Sequence, residues 1–412
     1  MKNKVLLLFI TLFYLNTSHL LAQAVSDVKG GMSTQRLGHY ENFIEKEIKD
    51  GNIAGAVSLV WRKGDVVHDK TFGVNDVSSK DAMAKDQIFF IQSMTKPIIS
   101  VAFMMLYEEG HFQLTDPVSN YLPAFKDLKV SKDVNTGIKG ETEALAQEIT
   151  IAHLLSHTAG FSHGLGASQL DQDIRAAMYG AQFKTVEERV DALLGVPLVG
   201  QPGNQWYYSA APDVLSVLIH KFSGIPTREF LQQRIFDPLN MGNTSYNVPD
   251  NLQAKVAQLH FKNEEGVLTK SPQQTPMSGN TIDSGVNGLF STAQDYLTFS
   301  RMLLNYGELD GKRYLSRKTV ELMTKNHTGD LYAKDDNEPG KGFGLGFAVV
   351  TDVAATKALG SVGKYYWSGA FCTYFFIDPQ EEMIALLMTQ TFPYTGFYGS
   401  KMSQFVYQAI VD

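Results

Sequence analysis

Apolar and polar positions change period several times along the chain, and each change marks an element. Over 34–49, Leu37, Phe43 and Ile44 fall on one side of a helical wheel, which predicts an amphipathic helix. Two strand-like runs follow, 54–61 and 66–72, joined by Arg62-Lys63-Gly64-Asp65 as a hairpin turn. The next run, 98–107, is apolar with helical spacing and ends before Leu114-Thr115-Asp116-Pro117. Residues 127–148 are polar with few large apolar side chains and read as a long surface excursion. Helical spacing returns over 149–156, 171–194, 213–222 and 226–235, while 245–285 is mixed and loop-rich. A helix is predicted over 292–306, capped by Ser291 or Thr292. The last strand signals are 347–350, 372–378 and 383–389, and a final helix is expected over about 399–411.

Strands at both ends with helices between them predict an α/β (α+β) architecture. One antiparallel sheet is assembled from both termini and flanked by helices, and the middle of the chain forms a mainly helical lobe. The expected division is an α/β domain of 25–92 and 292–412 around a helical domain of 93–291. With 412 residues, 44% of them hydrophobic and 19% charged, the chain is long enough for a large core and too apolar for disorder. A formal charge of −7 without a basic cluster gives no footprint for nucleic acid.

Residues 1–24 read as a secretory signal. Lys2 and Lys4 precede an apolar run, and Ala22-Gln23-Ala24 is an A-x-A-like cleavage site. The run is too short for a comfortable membrane span. The expectation is a periplasmic or secreted protein with no stable membrane insertion. Cys372 is the only cysteine, so no intrachain disulfide forms, and its apolar neighbours suggest a small core residue in a strand.

Candidate chemistry concentrates at Ser93-Met94-Thr95-Lys96. A serine and a lysine three apart at a helix start share a face, so the amine reaches the hydroxyl. The helix N-terminus adds N–H groups suited to an oxyanion. A partly desolvated lysine can take the serine proton. Two later segments fit the same site: Pro202 to Ala210, containing Tyr207-Tyr208-Ser209-Ala210, and Tyr366-Trp367-Ser368-Gly369-Ala370, which leads into the strand-like stretch 371–378.

In this order the three segments resemble the motifs of the serine β-lactamase and penicillin-binding-protein superfamily, most closely the class C-like branch with its family VIII carboxylesterases. The resemblance covers nearly the whole chain after the signal. It implies a β-lactamase-like fold, Ser93 as nucleophile, and Lys96 as neutral base or as a nearby positive charge. Tyr208 is implied as the partner base and acid, and the N–H groups of Ser93 and Ala370 as the oxyanion hole. Tyr366, Trp367, Ser368, Gly369 and Ala210 are expected at the substrate. Two positions depart from the family pattern. Trp367 stands where β-lactamases carry the lysine of K-T-G, and Ala210 where Y-x-N ends in asparagine. Both remove polar handles for a β-lactam or peptide, which favours an ester or amide small molecule as partner, esters first. A D-amino-acid peptidase, an amidase, a weak β-lactamase and an acylated sensor are the alternatives. No cofactor and no metal are implied.

Two rival motifs fail on context. Gly160-Phe161-Ser162-His163-Gly164 matches G-x-S-x-G, but that elbow needs a preceding strand, and 151–157 has helical spacing. His153 and His157 are spaced like a zinc pair, but Leu154 replaces the glutamate of H-E-x-x-H. Buried structural histidines are the expectation.

Overall fold

A computed structural model describes residues 28–412, so the signal segment lies outside the described residues. Ser33 accepts from the Arg36 N–H and so opens helix α1, Thr34–Lys49. Strands β1 (Gly55–Arg62) and β2 (Asp65–Gly73) form the expected hairpin. Helix α2 (Thr95–Glu108) is buried from Thr95 through Leu106. A helix that is apolar all round belongs in a core, and Lys96 is carried into that core with it. Helices α3 (Ala211–Ser223) and α4 (Ala293–Leu304) follow, the latter capped by Thr292 as expected.

Five late strands complete the main sheet: β3 (Lys341–Phe343), β4 (Ala348–Val350), β5 (Tyr365–Gly369), β6 (Thr373–Asp378) and β7 (Met383–Met388). Their order is β3-β4-β5-β6-β7-β1-β2, antiparallel throughout, and the β7–β1 pairing joins the two ends of the chain. Both faces are covered. Tyr374, Phe376, Ala385 and Leu387 pack under α1 and the last helix, α5 (Phe397–Tyr407), while Phe375, Ile377, Ile384 and Leu386 face α2, α4 and the helical lobe. Double coverage explains why these strands read as unbroken apolar runs. Each such buried side chain contributes roughly 1.5–3 kcal/mol.

Several expectations need correcting. The stretch 171–194 is two helices, Gln169–Tyr179 and Val186–Leu194, because Gly180 ends the first and Thr185 caps the second. Residues 127–148 hold a short hairpin, Lys129–Ser131 with Thr142–Ala144, as well as loop. The segment ending in Gly369 does not run into the next strand. It is β5, and a turn through Cys372, at φ 62°, separates it from β6, so Cys372 is a buried turn residue and not a strand residue. No helix among the described residues is long and apolar enough to cross a membrane.

Candidate active site

Ser93 lies two residues before the first residue of the α-helix whose start the spacing assigned to it. It lies in a 3-10 turn, Gln92–Met94, that feeds α2. Gln92 takes φ 49°, a strained value for a residue with a side chain, which survives only where surrounding structure enforces it. That enforcement is visible. The Ile91 N–H donates to the Leu289 carbonyl at 3.0 Å, the Tyr296 hydroxyl donates to the Met94 carbonyl at 3.0 Å, and the Leu289 N–H donates to Thr95 Oγ1 at 3.3 Å. The far end of β5 closes against the same turn. A Cβ on Gly369 would lie 2.3 Å from the Ile91 carbonyl oxygen, so only glycine permits the approach. Beyond Tyr366 the β4 side of β5 carries no ladder pairing, which leaves 367–369 as an open edge beside Ser93.

Lys96 Nζ lies 3.2 Å from Ser93 Oγ and donates to the Val286 carbonyl at 2.9 Å. It also lies 4.5 Å from the centre of the Tyr208 ring. Lys96 is 1% exposed, whereas Ser93 and Tyr208 remain partly open to solvent. Burial holds the Lys96 ammonium well below the usual lysine range; Asp213 pulls it back up and Arg189 pushes it further down. Burial pushes the Tyr208 phenol up, against a smaller opposing pull from the Ser93 side chain. Burial disfavours the charged form of both groups, which favours a neutral amine beside a protonated phenol.

Asp213 and Arg189 did not stand out in the sequence. They form a buried ion pair at 2.6 Å. Asp213 also accepts from Ser284 Oγ at 2.9 Å and from the Val286 N–H at 3.1 Å. One carboxylate therefore fixes the loop whose next carbonyl holds Lys96. The loop approaches α3 so closely that a Cβ on Gly285 would lie 1.8 Å from the Pro212 carbonyl oxygen. Partners 73 residues apart leave no local spacing to read.

An aromatic wall surrounds Tyr208. Its ring centre lies 5.3 Å from those of His157 and Trp367, 5.5 Å from His163 and 6.3 Å from Trp206. Burial is the main cause holding both histidines down, His163 to about 3, so both are neutral rings. His157 also meets Ser209 Oγ at 2.9 Å, and its φ of 58° places it past the helix Ile151–Leu155, so it does not share a helix face with His153. No cluster of metal-ligating side chains occurs among the described residues. A cavity of about 430 Å³, lined by Trp206, Tyr207, Tyr208 and Asp336 among others, opens beside this wall.

The remaining expected positions separate. Trp367 and Gly369 stand at the site. Strand alternation turns Tyr366 and Ser368 to the other face of β5 from Trp367; Ser368 Oγ lies 2.9 Å from the Tyr394 hydroxyl, and Tyr366 packs against the cluster of Trp206, Tyr332 and Phe343 that Tyr208 and Trp367 also meet. Ala210 is fully buried as the N-cap of α3 and offers a substrate no surface; it matters only for what it lacks. Ser162 donates to Asp171 and accepts from the Gly164 N–H at 3.0 Å, with a helix and loop, not a strand, before it.

The beta-lactamase family model matches residues 40–401. An uncharacterized protein of Mycobacterium tuberculosis is 33% identical over 362 residues, covering 84% of this chain and 88% of its own. Esterase EstB of Burkholderia gladioli is 25% identical over 376 residues, covering 86% and 90%. Among solved structures, EstCE1, described as a hydrolase with promiscuous acyltransferase activity, superposes with a TM-score of 0.77 at 25% identity, over 90% of this chain and 99% of its own. Sharing the fold and matching the family over most of its length, the chain belongs to the beta-lactamase family, with an esterase and an acyl-transferring hydrolase among its relatives.

Proposed function

We propose that the protein is a serine hydrolase that cleaves carboxylic esters through an acyl-enzyme on Ser93. The observation that carries this reading is the buried Lys96 amine, held below the usual lysine range by desolvation, 3.2 Å from the hydroxyl of a partly exposed Ser93. Ser93 Oγ attacks the ester carbonyl carbon and its proton passes to Lys96 Nζ. The carbonyl oxygen becomes an oxyanion held by the N–H groups of Ser93 and Ala370. The C–O bond then breaks, and the Tyr208 hydroxyl protonates the departing alcohol while drawing a proton back from Lys96. Water repeats the sequence on the acyl-enzyme and returns the Ser93 hydroxyl. An alcohol in place of that water gives acyl transfer, a second outcome favoured by the apolar wall of Trp206 and Trp367 and by the described activity of EstCE1.

The substrate class follows from what the site lacks. Trp367 offers no charge to a substrate carboxylate, and Ala210 no amide. Lys364, three residues before Trp367, is bonded to Ser403 on the α5 side of the sheet. Each missing charged contact is worth roughly 1.5–3 kcal/mol, or about ten- to a hundredfold in rate when felt in the transition state. Esters need neither handle. Side-by-side kcat/KM values for p-nitrophenyl butyrate, nitrocefin and a D-alanyl peptide test the reading. The butyrate ester is expected to lead; nitrocefin as the best substrate would make the protein a β-lactamase instead. Export to the periplasm or medium belongs to the same proposal and rests on the order of residues 1–24. Sequencing the exported protein should find a start near Gln23 or Val25.

A further inference from the structure

A second cavity, of about 720 Å³, borders β5; Trp367 touches it as well as the wall around Tyr208, but it shares no lining residue with the cleft beside Tyr208. It lies between the strand, α5 and the segment 353–360. Its volume falls within the roughly 300–1,000 Å³ of ordinary small-molecule pockets. Val353, Leu359 and Met402 supply apolar wall, and Tyr394, Ser403 and Lys364 supply polar groups. Lys364 is 8% exposed. Its Nζ donates to Ser403 Oγ at 2.7 Å and lies 4.5 Å from the Phe376 ring centre and 5.1 Å from that of Tyr407. Among the described residues it belongs to no ion pair, whereas Lys341 on the same wall is paired with Glu338. The acid that acts on Lys364, Asp378, is engaged by the Tyr407 hydroxyl and by the Gln380 N–H at 3.0 Å.

A buried ammonium without a carboxylate in direct contact is costly. Aromatic faces and one hydroxyl offset part of that cost, and of its three donors only one has a hydrogen-bond partner. Burial brings Lys364 down to about 8, which still leaves it mostly protonated at pH 7. The lining is mixed, with Glu338 held by Lys341 and with Lys357 and Gln404 also on the wall, but Lys364 is the buried cation with donors to spare, and beside Val353, Leu359 and Met402 it calls for an anion with an apolar body.

We propose that this cavity binds a small carboxylic acid with an apolar tail, its carboxylate on Lys364 and its tail against Val353, Leu359 and Met402. The inference does not depend on the catalytic reading, and the test keeps them apart. Octanoate and octanamide are titrated calorimetrically into full-length Ser93→Ala protein, which has no proposed nucleophile. Saturable one-to-one octanoate binding is expected, with octanamide at least tenfold weaker. Lys364→Met should weaken octanoate at least tenfold. Leu359→Trp, which enlarges a side chain of the cavity wall and leaves the Lys364 side chain in place, should weaken acid and amide alike and keeps the test open should Lys364→Met fail to fold. Equal affinity for acid and amide, or octanoate affinity unchanged by Leu359→Trp, overturns the proposal.

Discussion

Two serines in this molecule sit at strained or tight turns, and only one is equipped to attack. Ser93 follows Gln92 at φ 49° and has an amine 3.2 Å from its hydroxyl. Ser162 follows Gly160 at φ 84° by two residues and has a carboxylate, Asp171, opposite its hydroxyl. A carboxylate accepts the hydrogen bond but is a far weaker base than an amine. The surroundings differ as well. Ser93 is partly open and meets the unpaired edge of β5, whereas Ser162 is buried and pins its own loop through the Gly164 N–H. The difference teaches that a short motif names a residue, while the group across from the hydroxyl and the path to solvent decide whether it does chemistry.

The largest expected effect contrasts the two directly. Ser93→Ala should lower kcat for an aryl ester by at least ~10³-fold, the scale on which nucleophile removal acts. Ser162→Ala should stay within about twofold and show instead a loss of stability of roughly 1.5–3 kcal/mol, the worth of a hydrogen bond to a charged group. Paired rate and urea-unfolding measurements check both halves.

Next in size are the partners of Ser93. Lys96→Ala and Tyr208→Phe should each cost on the order of 10²-fold in kcat. The double variant should be little worse than either single one, because both serve one proton path. Multiplicative losses would place the two residues in separate steps.

Asp213→Asn should cost about tenfold in kcat and roughly 3–5 kcal/mol in stability, because it leaves the Arg189 guanidinium buried without its counter-charge. Unchanged unfolding would remove the ion pair from the account of how Val286 holds Lys96.

The smallest effect is one of position on the pH axis. In the proposed mechanism neutral Lys96 is the active form, so kcat/KM should be lost as pH falls through the folded value of this amine. That limb should lie well below 10.5, since burial depresses the group. Tyr208 is raised from 10.0, so the plateau should persist past about pH 10. Asp213 acts to raise Lys96, so Asp213→Asn should move the acid limb to still lower pH. A limb at the ordinary lysine value in the wild type would mean that Lys96 is not desolvated in solution.

What could be read in the sequence follows from the range of the interactions. Helix Thr34–Lys49 and the Thr292 cap depend on neighbours within a few residues, and both were legible with their bounds or cap. The pairing of Ser93 with Lys96 is local too. Tyr208 and Trp367 reached the site only through the family resemblance, since no periodicity brings residues so far apart together. The Asp213–Arg189 pair, the Val286 carbonyl and the depressed Lys96 depend on burial, which composition does not reveal at single positions. The two faces of β5 were missed for a simpler reason. Read as one block, the motif hid the alternation that sends Trp367 toward Tyr208 and Ser368 toward Tyr394.

The most direct test of the central claim is the location of a fluorophosphonate adduct on the intact enzyme, found by peptide mass spectrometry. The account predicts a single adduct on the peptide containing Ser93, abolished by Ser93→Ala and unaffected by Ser162→Ala; an adduct on Ser162, with Ser93 unmodified, would contradict it.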